Sequence, residues 1–275
     1  MRLAIYAHFG ESQTVARYVL HILKAIRSLG FEICFVSNSP VSIESQTEVS
    51  TFCQKFIQRE NTGYDFAMWQ AALAEYDLSK FDELLLTNSS IIGPLQPMAA
   101  LWQKPEVNQC DFWGLTDNDQ IAPHLSSYFL VFKGCVIQSN CFAEFWKSVL
   151  PYSNTNKDQI IRSYEVGLTI WLEQNGFRWK PLYPQCEVFK RYIESRKNRS
   201  VSRKVIERLK RRGVPAQLPG RSTTWHYPDL LIQSGMPFLK TSVLKTQPDL
   251  ACQLLQSSSL PKEALEELLA DMRSA

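Results

Sequence analysis

The chain is 275 residues long, 45% hydrophobic and 21% charged, with a formal net charge of +3. That length and apolar share suit one large α/β domain, or one domain with a helical appendage, and exclude a disordered or fibrous chain. Seven scattered cysteines with no C-x-x-C pair argue against a disulfide framework or a zinc site, and for a reducing, cytoplasmic setting.

Residues 3–7 form an apolar run of strand type that ends at His8-Phe9-Gly10 and is too short for a signal peptide. Val15, Val19, Leu20, Leu23 and Ile26 then recur at helical spacing, with Ser12 as the expected cap and Gly30 as the stop. Residues 31–36 give a second strand, halted by Ser37-Asn38-Ser39-Pro40, and residues 52–57 cover a third. The polar loop from Arg59 to Asp65 follows, with Asp65 expected to cap a helix running to Tyr76. Residues 83–86 form a buried strand that ends in Asn88-Ser89-Ser90 and a Gly93-Pro94 stop. Strand and helix alternating at this spacing predict right-handed βαβ units and a mostly parallel, Rossmann-like sheet flanked by helices.

Beyond Pro94 the spacing predicts strands over 111–115 and 127–132, separated by a polar loop that carries Asp117, Asn118, Asp119 and His124. Helices are expected over 142–149 and 158–175, closed by Gly176, and a last strand within 177–183. From Lys190 to Arg212 eleven Lys or Arg face only Glu194 and Glu207, so this one segment carries the basic character of the chain. The organisation expected is therefore an α/β domain over 1–189 and a basic, helical region over 190–275 packed on it. No run approaches the roughly 18 apolar residues needed to span a bilayer.

Four polar clusters fall at predicted strand ends: His8, Ser37-Asn38, the Arg59–Asp65 loop and Asn88-Ser89-Ser90. In open α/β sheets ligands bind outside the carboxyl ends of the strands, so these clusters define a candidate nucleotide or nucleotide-sugar site. Gly63 lets backbone approach a ligand, Asn61, Tyr64 and Asp65 suit base or ribose recognition, and Arg59 suits phosphate. Each cluster alone is also ordinary turn chemistry. Trp69, Trp102, Trp113 and Phe112 are expected in the core, where aromatic rings bury most area.

Several stretches together resemble the rhamnan synthesis protein F family: Arg59-x-Asn61-x-Gly63-Tyr64-Asp65-Phe66, the run from Leu84 through Asn88-x-Ser90 to Gly93-Pro94-Leu95, and Phe112-Trp113-Gly114-Leu115-Thr116. So do His124-Leu125-x-Ser127-Tyr128-Phe129, Tyr164-Glu165-Val166-Gly167-Leu168-Thr169 and Pro237-Phe238-Leu239-Lys240, giving a resemblance from Leu3 to about Pro248. The resemblance implies a GT-A-like glycosyltransferase of cell-surface polysaccharide synthesis, lipopolysaccharide included. Its implied donor is a nucleotide sugar, dTDP-rhamnose being the expected one, and its implied acceptor a glycan or lipid-linked glycan.

Glu165 is the first candidate for the carboxylate that deprotonates the acceptor hydroxyl, and Asp117 the second. His124, Ser127 and Lys240 are candidates for acceptor or phosphate contacts. Where the family reads Asn-Asp-Ser, this chain has Asn88-Ser89-Ser90, so the carboxylate that would hold a divalent cation is missing. Two readings stay open: phosphate charge met by Arg59 or the basic segment, or a catalytically silent subunit that binds nucleotide sugar or glycan. The basic run 190–212 is either a peripheral contact with anionic lipid at the inner face of the cytoplasmic membrane, at about 1 kcal/mol per basic residue, or a solvated helix face. A nucleic-acid partner is not expected.

Overall fold

The structure, a computed structural model, describes residues 1–150, 157–195 and 222–274. In chain order the strands are β1 (Arg2–His8), β2 (Phe31–Ser37), β3 (Lys55–Gln58), β4 (Glu83–Asn88), β5 (Ile91–Ile92), β6 (Phe112–Gly114), β7 (Asp117–Asn118), β8 (His124–Leu125), β9 (Phe129–Lys133), β10 (Trp179–Pro181) and β11 (Leu239–Lys240). Seven of them form one sheet in the order β10-β6-β9-β4-β1-β2-β3. β3, β2, β1 and β4 run parallel, β9 is antiparallel to both β4 and β6, and β10 pairs parallel with β6. The mostly parallel α/β expectation holds, with β9 as the reversed strand.

The apolar runs at 3–7, 31–36 and 83–86 are continuous because the sheet is covered on both faces. Alternate side chains of one strand point to opposite faces. Ala4, Tyr6, Ile33, Phe35 and Leu85 accordingly join one core layer, and Leu3, Ile5, Ala7, Cys34, Val36, Leu84 and Leu86 the other. Tyr6, Phe35 and Phe56 stack across β1, β2 and β3 with ring centroids 5.7 and 5.6 Å apart. Trp69, Trp113 and Phe112 are buried, as expected of them.

Local starts differ from the sequence reading where turn chemistry competes. Helix α1 (Arg17–Ser28) is capped by Ala16, not Ser12, whose hydroxyl accepts from the Thr14 amide at 3.0 Å. A helix not expected, α2 (Ile43–Ser50), is capped by Ser42; only Ser45 and Val49 of it are buried, so it has almost no apolar period to read. Helix α3 (Tyr64–Leu73) is capped by Gly63 in a left-handed conformation (φ 72°), which moves Asp65 into the first turn. The helix expected over 158–175 is Lys157–Ile160, a π-helical stretch Ile161–Val166 and Gly167–Gln174.

β5 and β11 form a small antiparallel ladder that the sequence did not announce. It sits in a third apolar cluster, with Ile92, Leu95, Leu239, Val243, Ala251, Leu255 and Leu268. A Cβ at Gly93 would stand 2.5 Å from the Pro237 carbonyl, so glycine is what lets the two segments close. The helix Gln185–Ser195 runs across the 189/190 boundary, and Val188 and Phe189 share a core cluster with Tyr227 and Leu231. Residues 196–212 of the basic run lie outside the described residues. Among the described residues no helix is long and apolar enough to cross a membrane.

Candidate functional site

β1 and β4 are neighbours, yet the chain leaves β1 for β2 on one side and returns to β4 on the other. The carboxyl ends of strands diverge at such a switch point and leave a crevice. A cavity of about 400 Å³ lies there. Phe9 follows β1, Asn38 follows β2, Asn61, Tyr64 and Asp65 lead from β3 into α3, and Asn88, Ser89 and Ser90 follow β4. A second cavity of about 590 Å³ shares Asp65, Asn88, Ser90 and Thr241 with the first, and reaches Ser127, Glu165, Trp225 and Lys240. The two are lobes of one cleft with a common wall.

That wall is a hydrogen-bonded chain. Asn88 Nδ2 donates to Asp65 Oδ2 at 2.7 Å, and Asn88 Oδ1 accepts from the Ser90 amide at 3.1 Å and the Ser90 hydroxyl at 2.5 Å. Lys240 Nζ donates to Ser90 Oγ at 2.9 Å and lies 4.2 Å from the centroid of the Tyr128 ring. A cation carried by β11 is thereby fixed at the junction of the lobes. In the outer lobe, Glu165 Oε1 accepts from the Ser127 amide at 2.9 Å. Glu165 lies in the π-helical stretch, an irregularity that recurs at functional sites. Tyr64, on the inner wall, holds φ at 53°, a conformation uncommon outside glycine that clusters at ligand sites.

Other predicted site residues support the walls from behind. Arg59 Nη1 donates to Asn38 Oδ1 at 3.3 Å, so the guanidinium braces the two loops and lines neither cavity. Asn38 Nδ2 is buried on the inner lobe with no hydrogen-bond partner, a donor that a ligand would satisfy. Asp117 Oδ1 accepts from the Gln185 amide at 2.6 Å at the start of the helix Gln185–Ser195, and burial raises its pKa. His124 is buried, with Nδ1 2.7 Å from the Ala122 carbonyl. Both lie off the cleft walls.

His8 and Ser37 are buried beneath the cleft, with His8 Nδ1 2.9 Å from Ser37 Oγ. Burial lowers His8 from its ordinary 6.5 to about 4, so the folded protein holds it neutral. Between those values the unfolded chain binds a proton that the folded one refuses, so stability is full above pH 6.5 and falls as pH drops toward 4. Urea unfolding at pH 7 and pH 4.5 should show a loss of roughly 2–3 kcal/mol from this residue. The same comparison on His8→Gln should lack that part of the slope; an identical slope would place the titration elsewhere.

Ser89 Oγ donates to the Phe9 carbonyl at 3.0 Å and accepts from the Phe9 amide at 3.1 Å, clamping the β1 loop to the β4 loop. A divalent cation at a diphosphate needs carboxylate oxygens. Asp65 is the one acidic residue lining the inner lobe, and its Oδ2 accepts from Asn88. Among the described residues no group of three or more His, Cys, Asp or Glu could hold a metal ion. The inner lobe therefore supplies one carboxylate, and that one is already engaged by Asn88.

The rhamnan synthesis protein F family model matches residues 33–207. The chain belongs to this family. The match is shorter than the motif resemblance, and leaves the Pro237–Lys240 motif outside it. The chain is 28% identical over 207 residues to the uncharacterized protein y4gN of Sinorhizobium fredii, covering 72% of this chain and 52% of that protein. It is 28% identical over 158 residues to the virulence protein VirA of Vibrio anguillarum, covering 56% of this chain and 50% of that one. The chain thus spans about half the length of the curated relatives it matches. Among solved structures it is similar to S. aureus TarS 1-349 (TM-score 0.43, 11% identity, 99% of this chain and 71% of that one). It is also similar to the glycosyltransferase GlyE of Streptococcus pneumoniae TIGR4 (TM-score 0.41, 13% identity, 99% and 63%).

Sequence motifs located most of the inner lobe, missing Phe9, Met68 and Thr241, but less of the outer one, where Gln120, Ile161, Ser222, Thr224, Trp225 and Ser242 were not singled out. Thr241 follows β11 and is brought in by long-range pairing with β5, for which the sequence carries no local signal.

Proposed function

We propose that this rhamnan synthesis protein F family member is a GT-A-like glycosyltransferase. It moves a sugar, rhamnose being the expected one, from a nucleotide-sugar donor to a growing cell-surface polysaccharide or lipid-linked glycan. The observation that carries the reading is the two-lobed cleft at the β1/β4 switch point, where one lobe faces four strand ends and the other a carboxylate. The inner lobe takes the nucleotide: Asn38, Asn61 and Asp65 offer amide and carboxylate partners for base and ribose. The amino terminus of α3 opens on the same lobe, and free backbone N–H groups at a helix start favour phosphate.

The diphosphate then lies at the common wall, beside the Lys240 ammonium. Glu165 takes the proton of an acceptor hydroxyl in the outer lobe. The freed oxygen forms a bond to the anomeric carbon as the bond from that carbon to the phosphate oxygen breaks. Both electrons of the broken bond leave with the nucleoside diphosphate, whose added charge Lys240 stabilises. The basic run 190–212 serves to hold the protein at an anionic membrane surface on the cytoplasmic side, near a lipid-linked acceptor.

A thermal-shift series with dTDP, UDP, GDP and CDP and their sugars, with Mn²⁺, Mg²⁺ or chelator, tests the donor assignment. A ligand at a hundred times its Kd stabilises by about 2.7 kcal/mol. One nucleotide class, dTDP first, should raise the melting temperature, and the shift should survive chelation. No shift with any nucleotide at millimolar concentration removes the proposal. Binding without turnover over donor and acceptor panels would instead favour the silent subunit.

A further inference from the structure

We infer that Trp225 is the stacking platform for a pyranose ring of the acceptor glycan. The inference rests on the glycosyltransferase reading for the word acceptor, but its geometry stands apart from the donor lobe. Trp225 lines the outer lobe and is 47% exposed, whereas most aromatic rings of this protein are packed away. Trp171 is exposed at 37% but lines neither lobe. What distinguishes Trp225 is its place on the wall of a cavity that also holds Glu165, where an exposed apolar ring is available to a ligand.

The ring is held in place. Its Nε1 donates to Thr246 Oγ1 at 3.0 Å, and the Thr246 hydroxyl in turn donates to the Ser242 carbonyl at 3.0 Å. The His226 ring stacks on it at 5.9 Å and 21°. Its backbone is tied as well, the Trp225 carbonyl accepting from Gln247 Nε2. A fixed aromatic ring with its polar edge already satisfied presents mainly an apolar face.

The lobe also carries polar groups, Asn118, Gln120, Ser126 and the Glu165 carboxylate, together with Tyr128 and Ile161. A pyranose has the matching surface: an apolar face of C–H groups for the indole, and a rim of hydroxyls for amides, serine and carboxylate. The volume of about 590 Å³ is in the range of small-ligand sites. A nucleobase would also stack, but the inner lobe already offers its own exposed rings, Phe9 and Tyr64, next to Asn61 and Asp65. The outer lobe is left for the sugar that must meet Glu165.

The test is an NMR titration of the purified chain with rhamnose, glucose and mannose oligosaccharides, run on wild type, Trp225→Ala and Trp225→Phe, alongside dTDP thermal shifts. Trp225→Ala should weaken binding of the preferred oligosaccharide about tenfold or more, equivalent to one strong stacking contact. Trp225→Phe should restore most of it, and the dTDP shift should be the same in all three. Equal oligosaccharide affinity in wild type and Trp225→Ala overturns the platform. So does absence of oligosaccharide binding in a wild type that takes up dTDP, and the donor reading survives both results. A wild type that binds oligosaccharide through Trp225 but no nucleotide keeps the platform and removes the donor reading.

Discussion

Glu165→Gln should reduce sugar transfer by about 10²–10⁴-fold, the usual range for losing a general base, while nucleotide binding stays intact. The substitution isolates the chemistry because glutamine keeps an oxygen where Glu165 Oε1 accepts from the Ser127 amide at 2.9 Å. The loop that carries Ser127 therefore keeps its anchor, and only the ability to take a proton is lost. Glu165→Ala should behave differently. It leaves that part-buried amide without its partner, at about 1–3 kcal/mol, so it should lower stability as well as activity. Steady-state kinetics with a saturating donor should show the fall in kcat and little change in donor KM, the pattern of an interaction made in the transition state. Without a good acceptor, hydrolysis of the donor reads the same step with water in the acceptor's place. Full turnover by Glu165→Gln would remove Glu165 as the base and leave the donor lobe unaffected.

Much of this architecture is legible in the residues because the central strands are short, apolar and bounded by polar turns. The loops that build the inner lobe are legible for a related reason. Small and polar side chains at strand ends are what a switch-point crevice requires, and Asn38, Asn61, Asp65, Asn88, Ser89 and Ser90 do meet there. Side-chain direction is a different matter. Arg59 sits in the expected loop, yet turns to Asn38. Asp117 looks as available as Glu165 in sequence, and only the fold shows its carboxylate accepting from the Gln185 amide. His8 and Ser37 end their strands as expected, but one residue too early to clear the sheet, so each bonds to the other in the core. What was least legible is the outer lobe. It depends on a two-residue pairing of β5 with β11 across nearly 150 positions, and on a break in helical periodicity at Ile161–Val166 that no local pattern announces.

Lys240→Met should cost about 10²–10³-fold in kcat, the range found when one stabilising group is removed from a developing oxyanion. Ser89 offers no carboxylate, and its hydroxyl is engaged with the Phe9 backbone in both directions. Charge building on the departing diphosphate then needs another partner, and Lys240 is a cation that lines the cleft at the junction of its lobes. A unit charge pair about 4 Å apart at an effective dielectric of 20 interacts by about 4 kcal/mol, enough to account for the expected loss. Methionine retains a similar stem and the packing against Tyr128, so the melting temperature should change little. Lys240→Arg should recover only part of the rate, because a planar fork cannot reproduce a point contact with Ser90 Oγ. Added Mn²⁺ should not rescue Lys240→Met, since Asp65, the carboxylate of the common wall, is already engaged by Asn88. Unchanged kcat in Lys240→Met, or full rescue by Mn²⁺, would transfer the role from this lysine to a metal. The combined Lys240→Met and Ser89→Asp variant separates the cases further: if a carboxylate at position 89 can hold a cation, only that variant should become responsive to Mn²⁺.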